Sequence, residues 1–179
     1  MLSTFGYWQV FGGIADNGSP VCGLRTGWAG GTQGFIVKWF SGLELIVHIY
    51  KSTWNVPEGR QVDLQFQFDH AAPWFGKAAG TKNPNLVEVR IPPDRVDSFL
   101  NEVRYANTLY VAFPSGTEAP WSGAMAGSSA GVTGLLQCVH VTNAQMAPTP
   151  APTPSQPYAI APHPAPSQPY STPVRGSEI

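Results

Sequence analysis

Apolar and polar residues alternate most clearly from Arg60 to Phe68, where Val62, Leu64, Phe66 and Phe68 are separated by Gln61, Asp63, Gln65 and Gln67. A period of two sends the four apolar side chains to one face of a strand and the polar ones to water. Phe35 to Phe40 and Leu43 to Tyr50 are apolar on both faces and are separated by Ser41-Gly42, which predicts a hairpin in the centre of a packed sheet. Shorter strands are predicted at Tyr7 to Phe11, Val21 to Arg25, Leu86 to Ile91 and Leu109 to Phe113, each bounded by Gly, Pro or Asn. Asn17-Gly18 marks a turn, and the glycine-rich stretch Gly27, Gly30, Gly31, Gly34 reads as a loop between strands.

The period changes after Pro92-Pro93-Asp94. Val96, Phe99, Leu100 and Val103 fall at i, i+3, i+4 and i+7, the stripe of an amphipathic helix. A second helix is predicted from Ser128 or Ser129, with Val132, Leu135, Leu136 and Val139 on one side and the two serines at its N-cap. Gly131 and Gly134 lower helix propensity there, so a closing strand over Leu135 to Val141 competes with it.

After Met146 ten of the last 33 residues are proline and the string Pro-Ser-Gln-Pro-Tyr occurs twice, ending at Tyr158 and at Tyr170. Such a segment cannot bury a core and samples extended polyproline conformations. It is either a recognition tail anchored by the two tyrosines or an inert solubilising one. The expected organisation is therefore an all-β, antiparallel β-sandwich-like domain over residues 1–145 with one or two short helices, followed by a disordered Pro-rich tail, 146–179.

Composition adds exclusions. With 42% hydrophobic and 12% charged residues the chain can bury a core, and 19 Gly with 18 Pro match many short strands and tight turns. A formal net charge of -1 offers no electrostatic footprint for nucleic acid. No apolar run is long enough to span a membrane, and no basic segment followed by an apolar stretch marks a signal peptide.

Candidate chemistry is sparse. Gly127-Ser-Ser-Ala-Gly131 matches the G-x-S-x-G nucleophile pattern at Ser129, but no Asp and no nearby Glu follow it, so the match reads as accidental. His48, His70, His140 and His163 stand in different segments without metal-ligand spacing. His48 reads as a buried histidine donating to a backbone carbonyl, and Asp69 with His70 forms the one candidate metal or acid-base site, which weighs little against a structural role. No metal and no cofactor are expected. Six tryptophans are many for this length, and Trp28, Trp54, Trp74 and Trp121 stand beside Gly or Pro, either as an exposed binding surface or as plugs of the sandwich ends. Cys22 and Cys138 are too far apart for a CxxC site. In a helix from Ser129, Gly131 and Gly134 share the face of Cys138 and allow the close approach that a disulfide to Cys22 demands; two unpaired buried thiols are the alternative.

In this order of segments the chain resembles the invasion-associated locus B family of bacterial, mainly alphaproteobacterial, envelope and secreted proteins. Trp8-Gln-Val10, Cys22 with Leu24, Lys51-Ser-Thr-Trp-Asn-Val-Pro-Glu-Gly59, Phe66-Gln-Phe-Asp69, the amphipathic Val96 to Val103 segment, Gly127-Ser128 and the late Cys138 carry the resemblance, over about Tyr7 to Val141. It implies a compact β-rich domain, export to the periplasm or exterior, a role at the cell envelope linked in some pathogens to host-cell entry, and no known catalytic residues. The expected function is a non-enzymatic binding or accessory protein with a protein or glycan partner at the envelope. The alternatives are a small structural subunit docking on a larger envelope assembly and, behind it, a hydrolase using Asp69 and His70.

Overall fold

Ten antiparallel strands form one continuous sheet in this computed structural model, which describes residues 2–40 and 44–146. The Ser41-Gly42 turn and the Pro-rich segment with Tyr158 and Tyr170 lie outside the described residues. The strands are β1 (Leu2–Phe5), β2 (Trp8–Ile14), β3 (Pro20–Trp28), β4 (Gln33–Phe40), β5 (Glu44–Lys51), β6 (Gln61–Phe68), β7 (Trp74–Gly80), β8 (Leu86–Ile91), β9 (Thr108–Ala112) and β10 (Trp121–Ala124). The helices are α1 (Val96–Tyr105) and α2 (Ser128–Met146). Spatial order is β1-β2-β3-β4-β5-β8-β7-β6-β9-β10.

The sheet folds over itself. Between β7 and β8 only Ala79 opposite Glu88 and Gly80 opposite Val87 are paired, a short seam joining a half built of β1 to β5 and β8 to a half built of β7, β6, β9 and β10. On a flat sheet, four strand spacings would put β4 and β6 roughly 19 Å apart. The ring of Phe35 on β4 nevertheless lies 6.5 Å from that of Phe66 and 6.3 Å from that of Phe68, both on β6. The inner faces of the two halves thus make a sandwich core, with Leu24, Phe35, Val37, Leu45, Val47 and Ile49 from the first half against Leu64, Phe66, Phe68, Leu109 and Val111 from the second.

Both helices pack on this core. All four stripe residues of α1 are buried, and Phe99 sits edge-on to Phe66, Phe68 and Trp74. α2 is a helix of 19 residues, longer than expected, and the competing strand over Leu135 to Val141 does not form. The glycines that lower its propensity are the reason it packs so close. A Cβ on Gly131 would stand 2.7 Å from Leu24 Cδ1, and one on Gly134 3.1 Å from both Phe5 and Val10. Tertiary contact overrides the local cost of about 1 kcal/mol per glycine.

β1, β7 and β10 had no clear alternating signal and emerge only as neighbours of stronger strands. The Gly27 to Gly34 stretch is not wholly a loop. Gly27 and Gly34 are opposite each other near the end of β3 and the start of β4, and only the short 3-10 turn Ala29–Gly31 and Thr32 lie between the two strands. The Asn17-Gly18 turn does close the β2–β3 hairpin, with Gly18 at φ 81° and its amide donating to Ala15 O at 2.8 Å.

Gly127 combines two backbone constraints. Its φ is 94°, and a Cβ there would stand 2.4 Å from the carbonyl oxygen of Phe5. Both strain and clash oppose any side chain, so Gly127→Ala is expected to cost at least ~2 kcal/mol, read as a lowered urea midpoint with unchanged slope.

Candidate functional site

At the end of the folded sheet, where Lys51 leaves β5 and Gln61 enters β6, lies an open cleft of about 560 Å³. The chain from 52 to 60 forms one wall and is fastened by its backbone. Gly59 N donates to Gly80 O at 2.8 Å, Gly80 N donates to Arg60 O at 2.9 Å, and the Asn85 amide donates to the carbonyls of Ser52 and Trp54. Gly80 is required for this approach, since a Cβ would stand 2.1 Å from Pro57 O. Val56, Val62, Val87, Phe113 and Trp54 give the cleft its apolar floor; Arg60, Gln61, Asp63, Ser115, Thr117 and Glu118 line the rest.

The rim's two carboxylates are already engaged. Glu118 pairs with Lys51 through Oε1 and accepts from Trp54 Nε1 through Oε2 at 3.1 Å. Burial pushes its carboxyl up, but the hydrogen bonds from Lys51 and Trp54 and the Lys51 charge outweigh it, leaving the group below its ordinary value. Asp63 pairs with Lys77 and accepts from Ser115, and the Lys77 bond first and the Ser115 bond second hold its carboxyl low. Trp54 meets Phe113 edge to face, centroids 5.1 Å apart. Its indole is fixed at both ends.

The four tryptophans named from sequence do not share a surface. Trp54 lines this cleft. Trp74 is no exposed platform but a core residue of β7: it stacks on Phe66, donates to Glu102 Oε2 at 2.7 Å and is covered by the Arg95 guanidinium 4.4 Å from its ring. Trp28 and Trp121 pack on each other, centroids 5.8 Å apart, where the end of β3 meets β10. Trp28 lies so close over Gly123 that a Cβ would stand 2.0 Å from its indole, and it donates to Ala124 O. Trp8, one of the two tryptophans outside that set, is fully buried and donates to Met125 O at 3.2 Å, joining the same two parts of the fold.

The acid-base candidates serve the backbone. Asp69, at φ 47° in the turn after β6, accepts from the amides of Asn107 and Thr108 and from the Asn107 side chain. The Asn107 amide bond is the largest influence holding its carboxyl low, so Asp69 clamps the start of β9 instead of serving His70 as a base. Ser129 is exposed at the start of α2; Ser128 is buried and donates to Arg104 O at 3.3 Å, a contact across to α1 in place of the expected cap. Of the G-x-S-x-G glycines, Gly127 and Gly131 are accounted for by the backbone and packing constraints described above.

His48 contacts Glu88, not a backbone carbonyl, with Nε2 3.5 Å from Oε2. Its Nδ1 is buried without a hydrogen-bond partner. Burial first, then the nearby Lys38 charge, lower its pKa from 6.5 to about 4, so the ring is neutral at pH 7 and the contact is not an ion pair. Cys22 on β3 and Cys138 on α2 form a disulfide with Cα atoms 5.9 Å apart. Gly12, opposite Cys22 in the β2–β3 ladder, leaves room for it: a Cβ there would stand 2.9 Å from Cys138 Sγ.

No protein-family model matches the chain, and no curated protein matches it in sequence. Among solved structures, the crystal structure of invasion associated protein B from Bartonella henselae superposes over 80% of this chain and 99% of its own, with a TM-score of 0.51 and 10% identity. The two chains share a fold. The resemblance to the invasion-associated locus B family is therefore one of fold, at 10% sequence identity.

Sequence reasoning reached the cleft through Trp54 but missed Arg60, Asp63 and Glu118. A charge at a strand start, on a strand's polar face or in a Gly-Thr-Glu loop gives no local sign of convergence. Trp54→Ala should lower stability by about 2 to 3 kcal/mol, through lost contact with Phe113 and the unpaired Glu118 oxygen, measured by chemical denaturation. For His48 the unfolded chain binds a proton near 6.5 and the folded chain only near 4, so stability is full above 6.5 and falls as pH drops through that window. The loss should reach about 3 kcal/mol, and His48→Gln should flatten the pH profile of the thermal midpoint between those values.

Proposed function

We propose that the chain is a non-enzymatic binding or accessory protein of the bacterial envelope, periplasmic or secreted. The observation that carries the reading is the Cys22–Cys138 disulfide, built into the packing of α2 on β2 and β3. Disulfides form and persist where the surroundings are oxidising, outside the cytosol. The solved structure that shares its fold is named for an association with invasion, which fits a role at the cell envelope. Two further observations favour binding over catalysis. The Asp69 carboxylate is committed to three donors at the start of β9, and the cleft beside β6 has an apolar floor with ion-paired carboxylates at its edge.

The test is the thiol state of native protein from fractionated cells. Alkylation without reductant followed by mass spectrometry should find both cysteines linked, and the protein in the envelope or medium. Two alkylated thiols on a cytosolic protein overturn the reading. The bridge closes a loop of 116 residues. Its reduction should therefore lower unfolding free energy by at most about 4 to 5 kcal/mol on the chain-entropy account, seen as a dithiothreitol-dependent fall in thermal midpoint.

A further inference from the structure

We propose that the cleft between the 52–60 segment and β6 takes an amphipathic organic anion, an apolar body bearing one carboxylate, sulfate or phosphate group, with Arg60 holding the charge. The assignment rests on the reading of this chain as a binding protein and names what its cleft accepts.

The floor decides the body of the ligand. Val56, Val62 and Val87 present only methyl groups, and Phe113 presents its ring. A sugar pressed against that floor would leave hydroxyls without partners, at a cost of about 1 to 3 kcal/mol each, whereas an acyl chain or an aromatic ring loses nothing there. Trp54 adds an indole whose N–H is already spent on Glu118, so it offers the ligand apolar surface rather than a donor. At about 560 Å³ the cleft is within the size range of small-molecule sites.

Charge decides the head. Three lining residues are ionised: Asp63, Glu118 and Arg60. Lys77 neutralises the first and Lys51 the second. Arg60 is exposed and has no ion pair among the described residues, so the cleft is left with one uncompensated positive charge at its mouth. A guanidinium binds carboxylate, sulfate and phosphate through paired N–H donors. The exposed Gln61 amide lies beside it in the lining as a further donor.

The experiment is calorimetric titration of the full, oxidised chain with decanoate, 1-naphthoate and decyltrimethylammonium below their aggregation limits. At least one anion should bind saturably at one site, and the cation at least ten-fold more weakly. Binding of decanoate alone assigns an acyl body, of naphthoate alone an aromatic one, and of both a floor that takes either. Arg60→Gln should weaken the anions about ten-fold, equivalent to ~1.4 kcal/mol, and tighten the cation by removing the charge that repels it, while Arg60→Lys should keep most of the preference. Val56→Phe, which fills the floor from a loop, should remove anion binding with the circular dichroism spectrum intact. Equal binding of cation and anions, indifference to Arg60→Gln, or no saturable binding overturns the assignment. Failure of the anions to bind protein recovered oxidised from the envelope removes this ligand and leaves the export reading standing; free cytosolic thiols do the reverse.

Discussion

The contact of Phe35 with Phe66 and Phe68 is the constraint on which the other parts of the structure depend. It joins strands four places apart in one sheet, which is possible only because the sheet turns over at the two-pair seam between β7 and β8. A ten-strand sheet left open would present the inner face of every strand to water. Folding it over buries Leu24, Val37, Val47, Leu64 and Leu109 in a single core, at roughly 1.5 to 3 kcal/mol for each large apolar side chain. Phe99 and Trp74 extend the same aromatic cluster to α1, so the helix is fixed by the core that the fold-over creates.

Glycines set how closely the remaining parts approach. Gly131 and Gly134 let α2 lie on Leu24, Phe5 and Val10; Gly12 admits the disulfide; Gly123 admits Trp28; and Gly80 admits the carbonyl of Pro57. Each replaces side-chain volume with backbone contact, and each therefore tolerates no larger residue without displacement. The disulfide then fastens α2 to β3 at a place where shape complementarity has already brought the two together. The disulfide and the cleft lie apart along the sheet: α2 and the bridge are packed on β1 to β3, while the cleft is built where β5, β6, β8 and β9 end.

Several polar groups in the core region are spent on structure. Asp69 clamps β9, Ser128 ties α2 to α1, and the indole N–H groups of Trp8, Trp28 and Trp74 fasten loops and helix to strands. His48 is the group held against its ordinary chemistry, since burial keeps it neutral beside Glu88. The cleft differs from these places in having apolar surface that the fold leaves open and a cation without an ion pair among the described residues.

What the sequence by itself determined was whatever repeats within one element. The period of two from Arg60 to Phe68 and the stripe Val96, Phe99, Leu100, Val103 fix a strand and a helix locally, because burial of one face is decided by residues two or four positions apart. The spacing of Gly131, Gly134 and Cys138 likewise marked a close-packing helix face. Tertiary structure alone decided what depends on residues far apart in the chain. β7 and β10 are strands because β6 and β9 offer them hydrogen bonds, not because Trp74-Phe-Gly-Lys or Trp121-Ser-Gly-Ala alternate. α2 stays helical through two glycines because Leu24 and Val10 fill the space they leave. Trp74 and Trp54 have the same loop-like neighbours in sequence, yet one is buried by Phe66, Phe99 and Arg95 while the other borders a cleft. Arg60 has no ion pair among the described residues while Asp63 and Glu118 are met by lysines from β7 and β5, a distribution of charge that exists only once the sheet has folded over.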